Sequence, residues 1–257
     1  MQAAQVFFLT LFLAHLLGDF ILQPKWMVQN KGKQLRPLLY HGLAHYLLAW
    51  ACLFFFAAAA FLSVYNQAVI IGYALVHLSI DKLKSLFIAR DTLPDNWLLF
   101  LLDQLLHVIV LAIAACALAR SSPAALFHGF SLSMSARIRI VQASIVYIAT
   151  VFGGGYFIRY LTRGFAIQSS AGDPSRLQNA GLYVGWIERF LIVTAVAMQS
   201  PVLVGLILTG KSIARFPEFK EARFAEYFLI GTMLSIAISL IGGILLSYLI
   251  YGTVSLK

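Results

Sequence analysis

Residues 6–22 have the sequence VFFLTLFLAHLLGDFIL, an apolar run interrupted by a histidine and an aspartate. With its neighbours the run is long enough to cross about 30 Å of hydrocarbon as a helix. His15 and Asp19 are four residues apart, so a helix places both side chains on one face. A polar pair on an otherwise lipid-compatible helix indicates that this face turns towards a protein interior.

The composition of the whole chain has the same apolar character. Of its 257 residues, 61% are hydrophobic and 11% are charged, which is typical of an integral membrane protein. The formal net charge is +9, but most basic residues fall between apolar runs, where membrane topology accounts for them, so nucleic acid is not expected as a partner. Cys52 and Cys116 form no spaced set, so neither a disulfide framework nor a thiolate metal site is expected.

Apolar runs of membrane-spanning length recur along the chain and fit helices better than the short alternating strands of a barrel. They lie at about 3–22, 38–63, 67–89, 97–119, 138–161, 183–209 and 226–251. The sequence therefore predicts an all-α polytopic membrane protein with about seven transmembrane helices. The start, MQAAQ, has no basic residue and no evident cleavage site follows, so the first run is expected to be a retained helix.

Domain boundaries and topology follow from the polar connections. The less apolar stretch at 120–137 divides the chain into a four-helix region, 1–120, an interfacial connection, 121–137, and a three-helix region, 138–257. Basic residues crowd the loop after the first run, which the positive-inside rule places in the cytoplasm. Seven simple crossings would then put Lys211 and its basic neighbours outside. Either one run does not cross, or the charge bias fails in one half.

Each of the first four runs carries one polar pair at a spacing of four residues. The pairs are His15/Asp19, His41/His45, His77/Asp81 and Asp103/His107. The first two pairs begin 26 residues apart, as do the last two, and the offset between the two halves is 62. This pattern predicts a duplicated helical hairpin, with parallel repeats at about 10–62 and 72–124.

A four-helix bundle with these pairs turned inward would gather five imidazoles and three carboxylates, enough ligands for two metal ions. Each ionised carboxylate near the middle of a membrane helix costs about 2.5–3.5 kcal/mol, so a shared cation is the simplest compensation. The donor set favours zinc, with manganese or iron as alternatives. The competing interpretations are separately neutralised side chains, such as Asp81 paired with Lys84 or Lys82, haem ligation, and a proton relay.

The stretches HLLGDFILQ (15–23), HLSIDKLK (77–84) and LLDQLLH (101–107), with the H-x3-H of His41 and His45, carry a resemblance. They resemble an uncharacterised family of bacterial inner-membrane proteins, a domain of unknown function sometimes encoded beside a SatD-type protein. The resemblance covers roughly residues 10–110, and GLYVGWIERFLIV, KSIARF and AEYFLIGTMLS resemble the longer members. It implies a multi-pass location in the bacterial inner membrane and names no reaction. A looser similarity is to predicted membrane-bound metal-dependent hydrolases.

The leading functional hypothesis is a metal-dependent hydrolase acting on a lipid-linked or membrane-interface ester, phosphoester or amide through a metal-activated water. Asp19 or Asp103 would serve as general base, and Gln23 and Gln104 would orient the ligands. The alternatives are a divalent metal or proton-coupled transporter and a haem-binding electron-transfer protein. Haem ligation would leave the three aspartates unexplained.

The C-terminal half has no comparable cluster. Glu188 and Arg189 are adjacent, and Lys211, Arg215 and Arg223 form a basic collar. The collar is expected to anchor helix ends by snorkelling, with binding of a lipid phosphate as the alternative. His128 lies in an interfacial stretch and is not expected to be a ligand.

Overall fold

A computed structural model of the chain describes residues 3–30, 34–57, 63–127, 136–163, 180–220 and 222–252. Within these ranges the chain is all-helical and contains no strand, as the sequence predicts. The predicted connection at 121–137 lies partly outside the described residues, as do His128 and the side chain of Arg223.

The helices of the N-terminal half begin and end close to the predicted runs. They are α1 (Ala3–Leu16) continued by a π-helical turn (Leu17–Ile21), α2 (Lys25–Asn30), α3 (Leu35–Cys52) continued by a second π-helical turn (Leu53–Ala57), α4 (Val64–Ala89), α5 (Trp97–Ala119) and a 3₁₀ turn (Pro123–Leu126). The Ser63 side chain accepts a hydrogen bond from the backbone of Asn66, and Asn96 accepts one from Leu99. These N-caps explain where α4 and α5 begin.

The helices of the C-terminal half are α6 (Ala136–Ile148), a π-helical turn (Ala149–Gly153), α7 (Gly154–Thr162), α8 (Ala180–Ala197), α9 (Pro201–Arg215), a 3₁₀ turn (Phe216–Lys220) and α10 (Ala222–Tyr251). The predicted single helix at 183–209 is divided here into α8 and α9. Gln199 adopts a left-handed φ of 57°, and Pro201 starts the next helix. Proline is tolerated at the first position of a helix, because the N–H that it lacks would have no intrahelical partner there. Inside a helix it removes a hydrogen bond, so Pro201 starts α9 and does not continue α8.

Five helical segments among the described residues are long and apolar enough to cross a membrane, which indicates a membrane protein. They are Ala3–Ile21, Leu35–Ala57, Trp97–Ala119, Ala136–Thr162 and Ala225–Tyr251. Although α4 is 26 residues long, it carries His77, Asp81 and Lys84 and is not one of the five. The predicted number of seven spans is therefore not confirmed by length and composition.

The chain forms two compact units, residues 1–145 and 146–257. In the first unit α1 contacts α3 and α5, and α4 contacts the same two helices, so the four close into a ring. Leu11, Leu53, Ile70 and Leu111 are fully buried in its core. The close approach of α3 and α4 depends on Gly42, since a Cβ there would collide with the Leu78 side chain.

The second unit has its own interior. In it α10 packs against α7 and α8, and α8 also packs against α9. Ile192 and Val193 of α8 are fully buried, and the hydroxyl groups of Tyr147 and Thr194 hydrogen-bond at 2.9 Å. The side chains of Glu188 and Lys211 form an ion pair between α8 and α9. That pairing places the end of α9 beside the first half of α8, so the two helices form an antiparallel hairpin.

Candidate metal centre

All eight side chains of the four predicted pairs lie together inside the first unit. The five histidines are at most 1% exposed, and Asp81 and Asp103 are 4% and 5% exposed. The side chain of Asp19 is the most accessible of the set, at 11% exposed. The four pairs come together because the spacing of four residues puts each pair on the inward face of its helix in the closed ring.

The carboxylate of Asp19 lies close to four imidazoles. Its Oδ1 lies 3.0 Å from Nε2 of His45, 3.4 Å from Nε2 of His41 and 3.7 Å from Nε2 of His77. Its Oδ2 lies 3.8 Å from Nε2 of His15. Four ring nitrogens from three helices therefore face one carboxylate.

Asp81 faces the same imidazoles from the opposite helix. Its Oδ2 lies 3.0 Å from Nε2 of His41 and 3.8 Å from Nε2 of His77. The Nε2 atoms of His41 and His77 are themselves 3.1 Å apart. Two imidazole nitrogens at this distance need either a proton between them or a cation that both bind.

The pair on α5 is held differently. Nδ1 of His107 donates a hydrogen bond of 2.7 Å to the backbone oxygen of Asp103, which leaves Nε2 of His107 as the lone-pair nitrogen. Oδ2 of Asp103 accepts hydrogen bonds from Lys84 Nζ at 2.8 Å and from Gln104 Nε2 at 3.4 Å. Lys84 therefore contacts Asp103 on the neighbouring helix, although the sequence suggested Asp81 as its partner.

Several atoms of the cluster are buried and make no hydrogen bond within the described part of the chain. They are both ring nitrogens of His15, Nδ1 of His77, Nε2 of His107 and Oδ1 of Asp103. Each such group costs about 1–3 kcal/mol when it is left unsatisfied. A cation would take up imidazole lone pairs and neutralise carboxylates at the same time.

The distances between the candidate ligand atoms fit a metal ion. Three groups bring their ligand atoms within 4.8 Å of one another: His15, Asp19, His45 and His77; His41, His77 and Asp81; and Asp81, Asp103 and His107. A tetrahedral ion with bonds of about 2.0–2.1 Å needs ligand atoms about 3.3 Å apart. The contacts of His41 and His77 with each other and with Asp19 and Asp81 measure 3.0–3.8 Å.

Residues around the cluster contact the second ring nitrogen, Nδ1, of two of its histidines. Gln23 Nε2 lies 3.4 Å from Nδ1 of His41, and the Tyr73 hydroxyl lies 3.4 Å from Nδ1 of His45. Such contacts on the second ring nitrogen fix the imidazole orientation in metal sites. The sequence prediction included Gln23 and missed Tyr73, although Tyr73 precedes His77 by four residues and so lies on the same face of α4.

Gly18 is a second supporting residue that the sequence prediction missed. It lies in the π-helical turn at the end of α1, a type of turn that is frequent at functional sites. A Cβ on Gly18 would lie 2.6 Å from Cε1 and from Nε2 of His45. Glycine is required because the His45 ring occupies the space that a side chain would need.

These features define an all-helical protein of membrane type with a buried cluster of histidines and aspartates. Residues 7–133 match the model of a family described as "Protein of unknown function (DUF3307)", and the matched segment contains all eight cluster residues. This match is consistent with the resemblance to an uncharacterised family. Comparison with curated proteins and with solved structures finds no significant match.

Proposed function

We propose that the chain is a multi-pass protein of the bacterial inner membrane and a metal-dependent hydrolase. Its substrate would be an ester, phosphoester or amide of a lipid-linked or membrane-interface molecule. The observation that carries the proposal is the convergence of seven buried side chains and the partly buried Asp19. Several of them have unsatisfied lone pairs, and their ligand atoms lie at distances from one another that suit a divalent ion. Zinc is the first choice because imidazole and carboxylate are its usual ligands in the absence of thiolates.

The contacts suggest different roles for the aspartates. Asp19 and Asp81 each face Nε2 of His41 and His77 and would hold the ion together with them. When bound, the ion would supply Lewis acidity and an activated water. Asp103 Oδ1 makes no hydrogen bond with the described residues, while Lys84 Nζ donates a hydrogen bond to the other oxygen and fixes it. Asp103 is therefore the general base that would accept the proton of the attacking water.

The geometry favours this role over haem ligation. Rings of the five histidines pack against one another, with centroids 3.8 Å apart for His45 and His77 and 4.3 Å apart for His77 and His107. Two axial imidazoles of one haem need the macrocycle between them, and contacts this close leave no space for it. Transport of a divalent ion or of protons uses the same residue types and is distinguished by the experiment below.

We also propose that α4 crosses the membrane and that the four-helix ring arose by duplication. Two candidate spans, α3 and α5, flank α4, and its His77 and Asp81 occupy the positions that His15 and Asp19 occupy 62 residues earlier. The hairpin of α8 and α9 does not cross in this proposal. With 15 residues, α9 is about 22 Å long, short of the hydrocarbon thickness of about 30 Å. The chain then crosses six times.

Elemental analysis of protein purified without a histidine tag tests the proposal. We expect bound divalent metal and hydrolysis of at least one member of a panel of chromogenic esters, phosphoesters and amides. His41→Ala and Asp81→Ala should lose metal and hydrolysis together, falling below about one tenth of wild type. Unchanged metal in both variants would contradict a metal site at these residues. Metal uptake into proteoliposomes that His45→Ala abolishes, without hydrolysis, would establish transport instead, and a Soret band without bound metal ion would establish haem.

A further inference from the structure

The second unit contains a buried arginine that the proposed hydrolase does not use. Arg189, in the middle of α8, is 3% exposed. Its Nε donates a hydrogen bond of 2.9 Å to the backbone oxygen of Val151, and Nη1 lies 3.4 Å from the Ser235 hydroxyl. Val151 belongs to the π-helical turn between α6 and α7, where the regular ladder of helix hydrogen bonds is interrupted. These contacts hold the guanidinium in one orientation.

Arg189 forms no ion pair of its own with a described carboxylate, and it shares the nearby charge of Glu188 with Lys211. The neighbouring carboxylate of Glu188 forms its ion pair with Lys211. Nη2 of Arg189 donates to no atom in the described ranges. One carboxylate beside two cations leaves an excess of positive charge, which is unfavourable in a buried site. The arrangement therefore calls for an anion that is not part of the described chain.

A second donor lies beside the free end of the guanidinium. Nε1 of Trp186, one turn earlier on α8, is buried and makes no hydrogen bond with the described residues. A Cβ built on Gly155 would lie 2.5 Å from Nη2 of Arg189 and 3.2 Å from Nε1 of Trp186. The two donors are thus at most 5.7 Å apart, the sum of these distances. Gly185 leaves space on the other side, since a Cβ there would lie 3.2 Å from Nη1.

We propose that Arg189 and Trp186 form a binding site for one oxyanion group, specifically a phosphodiester. A guanidinium binds phosphate oxygens through two parallel N–H groups, and an indole N–H adds a third donor. Arg189 and Lys211 carry two positive charges and Glu188 carries one negative charge, which leaves a formal net charge of +1. One monoanionic phosphodiester neutralises this charge. The site lies outside the matched segment 7–133 and is independent of the metal centre.

The position of the site suits a phospholipid head group. Gly155 lies seven residues before the end of α7 at Thr162, and Lys211 lies four residues before the end of α9 at Arg215. At a rise of about 1.5 Å per residue, these distances are about 10 Å and 6 Å. The same ends of α7 and α9 carry further basic residues, which attract anionic lipids. These residues are Arg159, Arg163, Arg215 and Lys220.

Native mass spectrometry of the delipidated full chain tests this site. The protein is incubated separately with phosphatidylglycerol, phosphatidylcholine and inorganic phosphate. We expect retention of one phosphatidylglycerol per chain in preference to phosphatidylcholine, because the choline cation already offsets the charge of the phosphodiester in phosphatidylcholine. Loss of a charge-assisted hydrogen bond predicts weakening of about 10- to 100-fold in Arg189→Gln and about 5- to 10-fold in Trp186→Phe. Arg90→Gln, which removes an exposed charge from the first unit, should bind as the wild type does.

The two variants separate binding from packing. Trp186→Phe keeps an aromatic ring and removes only the N–H group, so it tests the site even if Arg189→Gln does not fold. A saturable rise of the melting temperature with inorganic phosphate, lost in Trp186→Phe, would support the same site with a water-soluble ligand. Equal retention of the two lipids with no effect of phosphate would overturn the proposal. So would wild-type retention of phosphatidylglycerol by both variants, because Arg189 would then serve only to join helices.

Discussion

At the residue scale, three aspartates of the same unit differ in their partners. Asp19 and Asp81 face imidazoles, whereas Asp103 is bound by the ammonium group of Lys84. With neutral histidines, the three carboxylates and Lys84 give the cluster a formal charge of −2. One divalent ion neutralises that charge. Since uncompensated charge is costly in a buried site, the contacts favour one ion per chain.

Replacement of Lys84 tests this charge assignment. The group formed by Asp81, Asp103 and His107 has the spacing of a metal site, but Lys84 already supplies a cation to it. We expect one divalent ion per wild-type chain, and more than one, approaching two, in Lys84→Met. Elemental analysis against protein concentration measures the ratio. Lys82→Met, two residues away, should keep a ratio of one, and a ratio of two in the wild type would contradict the assignment.

Much of the candidate site could be predicted from residue spacing alone. Polar pairs four residues apart on apolar helices have few explanations other than a shared polar interior. The convergence of all eight residues, the first His15 and the last His107, was therefore expected. The partner of Lys84 could not be predicted, because residue 84 lies close to Asp81 in sequence and the contact with Asp103 exists only after α4 and α5 pack. Arg189 was noted only as a neighbour of Glu188, since its contacts with Val151 and Ser235 join distant parts of the chain.

At the scale of elements, apolar runs predicted the positions of helices but not their irregularities. The predicted run at 138–161 agrees closely with the helical segment Ala136–Thr162. No residue pattern identifies the π-helical turn within that segment, because the turn depends on packing. The break between α8 and α9 has a clearer signal, Pro201. The prediction missed it because the residues on both sides of Pro201 are apolar. Helices and the break at Pro201 are thus set by the local sequence, and the π-helical turn by packing against neighbouring helices.

Gly18→Ala tests the π-helical turn at the candidate metal centre. In an ordinary helix the change from glycine to alanine is favourable by about 1 kcal/mol. Here the added methyl group would displace the His45 ring from Asp19, so we expect metal affinity to fall about 10- to 100-fold, the range of outer-contact changes in metal sites. Competition with a chelator of known affinity measures the loss.

Gly72→Ala provides the matched control for that substitution. Gly72 lies inside α4, and a Cβ there would meet no atom within 4 Å. This variant should bind metal as the wild type does and melt at the same or a slightly higher temperature. Equal metal affinity in Gly18→Ala and Gly72→Ala would show that the His45 ring does not need the space at Gly18.

At the scale of the whole molecule, the hairpin of α8 and α9 changes the topology that the charges imply. Seven simple crossings would place the first basic loop and the basic segment around Lys211 on opposite sides. If the hairpin returns to the side from which α8 starts, both basic segments lie in the cytoplasm. Both of these basic segments then obey the positive-inside rule, and the conflict between them in the sequence prediction disappears because one predicted span is two short helices.

Cysteine labelling separates six crossings from seven. Introduced into a chain in which Cys52 and Cys116 are replaced by alanine, Lys220→Cys should be protected from a membrane-impermeant maleimide in intact cells, whereas Tyr251→Cys should react. Seven simple crossings predict the reverse at both positions. Ser122→Cys should react and Thr92→Cys should be protected in either topology, so they calibrate the assay. A labelled Lys220→Cys with a protected Tyr251→Cys would mean that the hairpin of α8 and α9 spans the membrane as one helix.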